Sequence, residues 1–152
     1  MTMTDLGMEP ARVLQVVFAC VRNGGRSVIS RVLTEHYARG RVTALSAGTQ
    51  PGEHIHPEVA EVLENLGLDT SREQPKLLTR DTIAASTMAI TLGCGEECPY
   101  VPGVKYTDWP VADPGGQDEA TVRKIIADLD GRVRAMLVEL VPDLELPTSV
   151  LE

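Results

Sequence analysis

The chain has 152 residues, 43% of them hydrophobic and 24% charged, the balance of one globular domain with an adequate core. A formal net charge of −8 argues against nucleic acid or an anionic membrane as a partner, and no segment approaches the roughly 18 apolar residues of a spanning helix. The first residues carry Asp5 and Glu9 and lack the basic lead of a secretory signal, which points to the cytoplasm. In that compartment three cysteines read as redox or catalytic groups rather than structural ones.

Residues 1–11 read as a flexible lead-in. Val13–Ala19 is a continuous apolar run, the pattern of a central parallel strand buried on both faces. From Arg26 to Arg39 the apolar positions Val28, Ile29, Val32 and Leu33 predict a helix, stopped by Gly40. Val42–Ala47 reads as a second strand. Pro57 opens a helix with Val59, Val62, Leu63 and Leu66 on one face and Gly67 as its stop. A short helix is expected over Leu77–Ala85, a third strand over Thr87–Leu92 and a short fourth strand at Val104–Tyr106. Asp118–Leu140 predicts a long amphipathic helix, interrupted only by Gly131, and residues 142–152 read as a tail. The expected domain is therefore 12–141. Strands alternating with helices imply right-handed βαβ units: a single-domain α/β fold, with a small doubly wound parallel sheet of four strands. Ligands of such sheets bind at the carboxyl ends of the strands, where Cys20 and Cys94 both fall.

The richest stretch is Cys20-Val21-Arg22-Asn23-Gly24-Gly25-Arg26-Ser27, between the first strand and the first helix. Glycines let successive backbone N–H groups converge on one concavity, and the helix start adds positive potential there. Arg26 offers a two-pronged fork to a tetrahedral oxyanion. Cys20 would lie beneath that anion, in a field that favours its thiolate, with Ser27 donating to the sulfur and Asn23 shaping the loop. Residues 21–27 thus read as an oxyanion cradle and Cys20 as a nucleophile toward phosphorus or an analogue of it.

Cys94-Gly95-Glu96-Glu97-Cys98-Pro99 spaces two thiols four apart, within disulfide reach across one helical turn. Gly95 and Pro99 weaken regular helix, so the segment has room to rearrange. A thiol pair near a nucleophilic cysteine suits resolution of a covalent intermediate: Cys94 attacking sulfur on Cys20, then Cys98 attacking Cys94. Two unrelated small residues, or half of a zinc site, are the competing readings. Asp113-Pro114-Gly115-Gly116 is a loop whose carboxylic acid can protonate a leaving oxygen, although Asp-Pro-Gly is also an ordinary turn. His36, His54 and His56 have no metal-ligand spacing and read as structural or surface residues, with no catalytic role. No metal site is expected.

Cys20…Arg26-Ser27 with Asp113-Pro114 resembles the low-molecular-weight tyrosine phosphatase superfamily over about residues 13–140. Ser46-Ala47-Gly48-Thr49, His56-Pro57, the Gly93–Pro99 segment and Trp109 are similar to its thioredoxin-coupled arsenate reductase branch. The resemblance implies a three-layer α/β/α domain that reduces arsenate to arsenite. Cys20 would attack arsenate held by the loop amides and Arg26, and Asp113 would assist departure of hydroxide. Cys94 would then form a disulfide with Cys20, and Cys98 would leave Cys94–Cys98 for thioredoxin, with no bound cofactor and with the protein a monomer. Departures are visible. Gly25 stands where many relatives carry a second loop cysteine, Arg22 replaces a frequent glycine, and the resolving cysteines are closer than in some members. Some members also bind potassium through an acid in the first helix, a place held here by Arg31.

The same cradle suits a protein tyrosine phosphatase, but those usually line the cleft with aromatics, including one just after Asp-Pro, where this chain has Gly115 and Gly116. A reductase coupled to a low-molecular-weight thiol and a glutaredoxin-like protein would need only Cys20. A non-enzymatic binder of arsenite or zinc through three converging thiols would saturate without turnover.

Overall fold

The computed structural model describes residues 14–152, so the lead-in expected over residues 1–11 lies outside the described residues. Four strands, β1 (Leu14–Cys20), β2 (Val42–Gly48), β3 (Met88–Thr91) and β4 (Lys105–Asp108), form one sheet in the order β2-β1-β3-β4, every pairing parallel. The helices are α1 (Arg26–Ala38), α2 (Pro57–Asn65), α3 (Arg80–Ala84) and α4 (Glu119–Leu140). Strand β1 is central because both faces of Val16–Cys20 are apolar and buried. Its even-numbered residues, Val16, Phe18 and Cys20, join a large core with α1, α2 and α4. Val17 and Ala19 face a smaller cluster with Ala47, Leu78, Ile83 of α3, Ala89 and Cys94. The α/β/α layering is therefore unequal, with three helices on one face and the five-residue α3 on the other.

Three elements depart notably from the sequence pattern. The short helix expected from Leu77 begins at Arg80, because Leu77 and Leu78 pair with the end of β2 and the Thr79 hydroxyl accepts from Thr82 N–H as N-cap. The fourth strand runs Lys105–Asp108 rather than Val104–Tyr106. Gly131 does not interrupt α4, which runs unbroken behind an Asp118 cap that accepts from Thr121 N–H at 2.8 Å.

Residues 142–152, expected as a tail, pack back on the large core through Leu144, Leu146, Val150 and Leu151. Polar bonds clasp them there. Buried Tyr37 and half-buried Ser149 both donate to the buried Asp130 carboxylate, Val150 N–H donates to the Tyr37 hydroxyl at 3.0 Å, and Arg134 donates to the Pro147 carbonyl at 2.8 Å. Arg134 also lies over the Tyr37 ring, 4.9 Å from its centroid.

Candidate active site

Because all four strands are parallel, their carboxyl ends open on one edge, and β1 stops there at Cys20 opposite Gly48 of β2. The next residues wrap into a closed cradle. Asn23 takes a left-handed φ of 53°, which asparagine tolerates, and this turns its N–H onto Cys20 Sγ at 3.2 Å. A chain of hydrogen bonds orients the rest. Lys76 N–H donates to Asn23 Oδ1 at 2.9 Å, and Asn23 Nδ2 donates to Ser27 Oγ at 2.8 Å. Ser27 Oγ lies 2.9 Å from Cys20 Sγ. With its oxygen already accepting from Asn23, the Ser27 hydroxyl is free to aim its own proton at the sulfur, the arrangement that stabilises a thiolate. Cys20, Asn23 and Ser27 are all buried.

The cradle is held from outside by the segment that follows β2. Thr49, Gln50, Gly52 and His56 N–H donate in turn to the carbonyls of Cys20, Val21, Arg22 and Gly24, at 2.8–3.0 Å. Gly48 is required for this approach: a Cβ there would lie 2.5 Å from the Val21 carbonyl oxygen. The resulting cleft, about 200 Å³, is lined by Cys20, Val21, Arg22, Gly24, Gly25, Arg26, His56 and Asp113. A mixed-charge depression of similar volume, around Arg31, Arg72 and Glu73, lies away from the strand ends.

The sequence-predicted residues converge there, with one addition and one separation. Arg26 Nη1 donates to the Val111 carbonyl at 3.1 Å, tying the cradle to the Asp113 loop. Asp113 Oδ1 accepts from Gly115 N–H at 2.9 Å, and Glu58 of α2 accepts from Gly116 N–H. That bond holds the Glu58 carboxyl below its ordinary range, helped by its own N–H and by His56, against desolvation and the Asp113 charge. His56, read from the sequence as structural or surface, is the addition: its ring forms part of the cleft wall. The only sequence signal for it was its place next to Pro57 at a helix start. His36 and His54 are exposed and do not line the cleft. Arg31 donates from Nε to the Ala44 carbonyl at 3.1 Å and pairs with Glu35 and Glu73. Burial raises the Glu73 carboxyl, and Arg31 opposes that rise.

Cys94 and Cys98 form a disulfide across a single helical turn, Gly95–Glu97, that follows β3. Cys94 Sγ lies 3.7 Å from the carbonyl of Ala19, one residue before Cys20. The two sulfurs nevertheless belong to opposite faces of the sheet, Cys20 to the large core and Cys94 to the small cluster. Arg26 packs so tightly against Gly93, the residue before Cys94, that a Cβ there would be 2.6 Å from Nη1. Glu97 latches the turn by accepting from Thr49 Oγ1 and Gln50 Nε2, both at 3.2 Å. Among the described residues no group of three or more His, Cys, Asp or Glu is placed to hold a metal ion, and no helix is long and apolar enough to cross a membrane.

Comparison with known proteins agrees with this geometry. The thioredoxin-dependent arsenate reductase of Corynebacterium glutamicum superposes with a TM-score of 0.76 at 42% identity, over 89% of this chain and 65% of that longer one. A Halobacterium salinarum protein named "Putative arsenate reductase" is 34% identical over 83% of this chain and 92% of its own length. The Synechocystis "Glutaredoxin arsenate reductase" is 25% identical over 83% of this chain and 98% of its own. The low molecular weight phosphotyrosine protein phosphatase family matches residues 15–146, and this chain belongs to that family.

Proposed function

We propose that this chain reduces arsenate to arsenite by a relay through Cys20, Cys94 and Cys98, with thioredoxin as reductant. The observation that carries the reading is a buried, hydrogen-bonded Cys20 in an oxyanion-sized cradle with a second, already paired thiol couple at the adjacent strand end. Arsenate enters as the oxyanion, held by the N–H groups of residues 21–27 and by the Arg26 guanidinium. Cys20 thiolate attacks arsenic, an As–S bond forms, and one oxygen leaves as water with a proton from Asp113. Cys94 thiolate then attacks Cys20 Sγ. The S–S bond forms, the As–S bond breaks, and its electron pair passes to arsenic, so As(V) becomes As(III) and leaves as arsenite. Cys98 attacks Cys94, freeing Cys20 thiolate and leaving the Cys94–Cys98 disulfide, which a dithiol protein reduces by exchange. Because Cys94 and Cys20 occupy opposite sheet faces, the second step requires the 93–98 turn to leave its Glu97 latch.

The relatives named as arsenate reductases, one of them thioredoxin-dependent, support this assignment. Arsenate-dependent NADPH oxidation with thioredoxin and thioredoxin reductase tests it. Steady turnover that stops without thioredoxin is expected, and Cys20→Ser is expected to abolish it. Cys98→Ser should release about one arsenite per protein and stall, since only the final exchange is removed. Continued thioredoxin-driven cycling in that variant would refute the relay.

Phosphate-ester hydrolysis is the second reading, favoured by the family and by an acid facing the cradle. Brisk hydrolysis of an aryl phosphate without arsenate turnover would establish it instead. Turnover with a low-molecular-weight thiol and glutaredoxin, surviving in Cys94→Ser, would move the electron source to that pair.

A further inference from the structure

Three glycines surround the His56 ring, and their backbone does not explain two of them. Neither Gly24 nor Gly115 has a left-handed φ, the usual demand for glycine. What they share is the imidazole. A Cβ on Gly24 would lie 3.2 Å from His56 Nε2, and one on Gly115 would lie 2.8 Å from the same nitrogen. Gly25, from the cradle side, would bring a Cβ within 3.2 Å of His56 Cδ2 as well as 2.7 Å of Pro114 Cγ. The glycines form a slot that admits a flat ring between the cradle and the Asp113 loop.

The ring is also held from its own backbone. His56 N–H donates to Gly24 O at 2.8 Å, and His56 O accepts from Val59 and Ala60 N–H as α2 begins. Its two ring nitrogens, by contrast, make no hydrogen bond among the described residues, while the ring lines the same cleft as Cys20, Arg22, Arg26 and Asp113. A half-buried imidazole, fixed by main-chain bonds, inside a slot cleared for it and with its polar atoms unpaired, is an arrangement awaiting a ligand.

We propose that His56 is an oxyanion-binding residue of the cleft, donating from its imidazole to an oxygen of the bound tetrahedral anion. It adds a third donor arm to Arg22 and Arg26. The charged groups facing it are Arg22 and Arg26 from the cradle, the Cys20 thiol below, Asp113 across the slot and Glu58 on its own helix. The inference deepens the arsenate-reductase reading, but inorganic phosphate binds the same cradle whether that reading or hydrolysis is right.

The test is calorimetric titration of the reduced full chain with inorganic phosphate, in wild type, His56→Gln and His56→Ala. The alanine should bind about tenfold more weakly, the scale of one hydrogen bond to a charged group, while the glutamine, which still donates, should approach wild type. Gly115→Ala, which pushes the ring from its slot, should weaken binding in the wild-type background and have little further effect on His56→Ala. Wild-type affinity in His56→Ala, or an equal loss in His56→Gln and His56→Ala, would overturn the assignment. An equal effect of Gly115→Ala with and without the imidazole would do so too. Arsenate turnover, measured separately, decides the underlying reading without bearing on this one.

Discussion

Ser27 joins the loop-shaping Asn23 to the nucleophile. Its hydroxyl receives Asn23 and is left to give its proton to Cys20. Ser27→Ala should cost about 1–3 kcal/mol in urea unfolding, because the buried Asn23 amide loses its acceptor. It should also lower the single-turnover rate by about tenfold, the effect of one hydrogen bond to a charged atom, as rapid-quench kinetics would read. A rate within about twofold of wild type would show that the Ser27 hydroxyl does not assist the reacting sulfur. The cradle itself was legible because its eight residues are contiguous, so loop, charge and helix start could be read together. His56 was not, because its meaning comes from Gly24 on one side and Gly115 on the other, 32 and 59 residues away in the chain.

Among the connecting elements, the loops around the cleft are tied by single contacts whose removal has a defined sign. Gly93 has φ +85° and backs directly on Arg26. Gly93→Ala should cost about 1–2 kcal/mol from the backbone alone and displace the guanidinium, raising KM for the oxyanion more than it lowers stability. Circular dichroism beside steady-state kinetics separates the two effects. Glu58 ties α2 to the Asp113 loop, and its folded-state carboxyl titrates below the ordinary value, chiefly through the Gly116 N–H. A lowered carboxyl contributes stability above its ordinary range and loses it as pH falls through the lowered value. The gap in denaturation midpoint between wild type and Glu58→Ala should be present at pH 7 and close below pH 4 or so, about where carboxylates protonate. A gap that persists in acid would mean that packing, not charge, holds the loop. Helix and strand order followed from periodicity; the lost turn at Leu77–Leu78 did not, since pairing with β2 is a long-range bond that outcompeted local helix.

For the whole molecule, the carboxyl-terminal residues complete the core rather than trail from it. Tyr37 accepts Val150 N–H and donates to Asp130, which also receives Ser149. Tyr37→Phe leaves a buried carboxylate and an N–H short of a partner, a loss of about 1–3 kcal/mol measurable by urea unfolding. The segment's short apolar positions gave no periodic signal, so its docking could be read only once α1 and α4 were seen to leave Tyr37 between them.

The Cys94–Cys98 bridge has a sequence separation of only four. Closing so short a ring removes little freedom from the unfolded chain, about 2 kcal/mol in the chain-entropy account, against more than 4 for a crosslink joining residues as remote as Cys20 and Cys94. The protein can therefore be charged and discharged with electrons while its melting point moves by only several degrees. Heat resistance is set by the sheet and the carboxyl-terminal clasp, and the redox couple rides on a turn that the rest of the architecture barely registers.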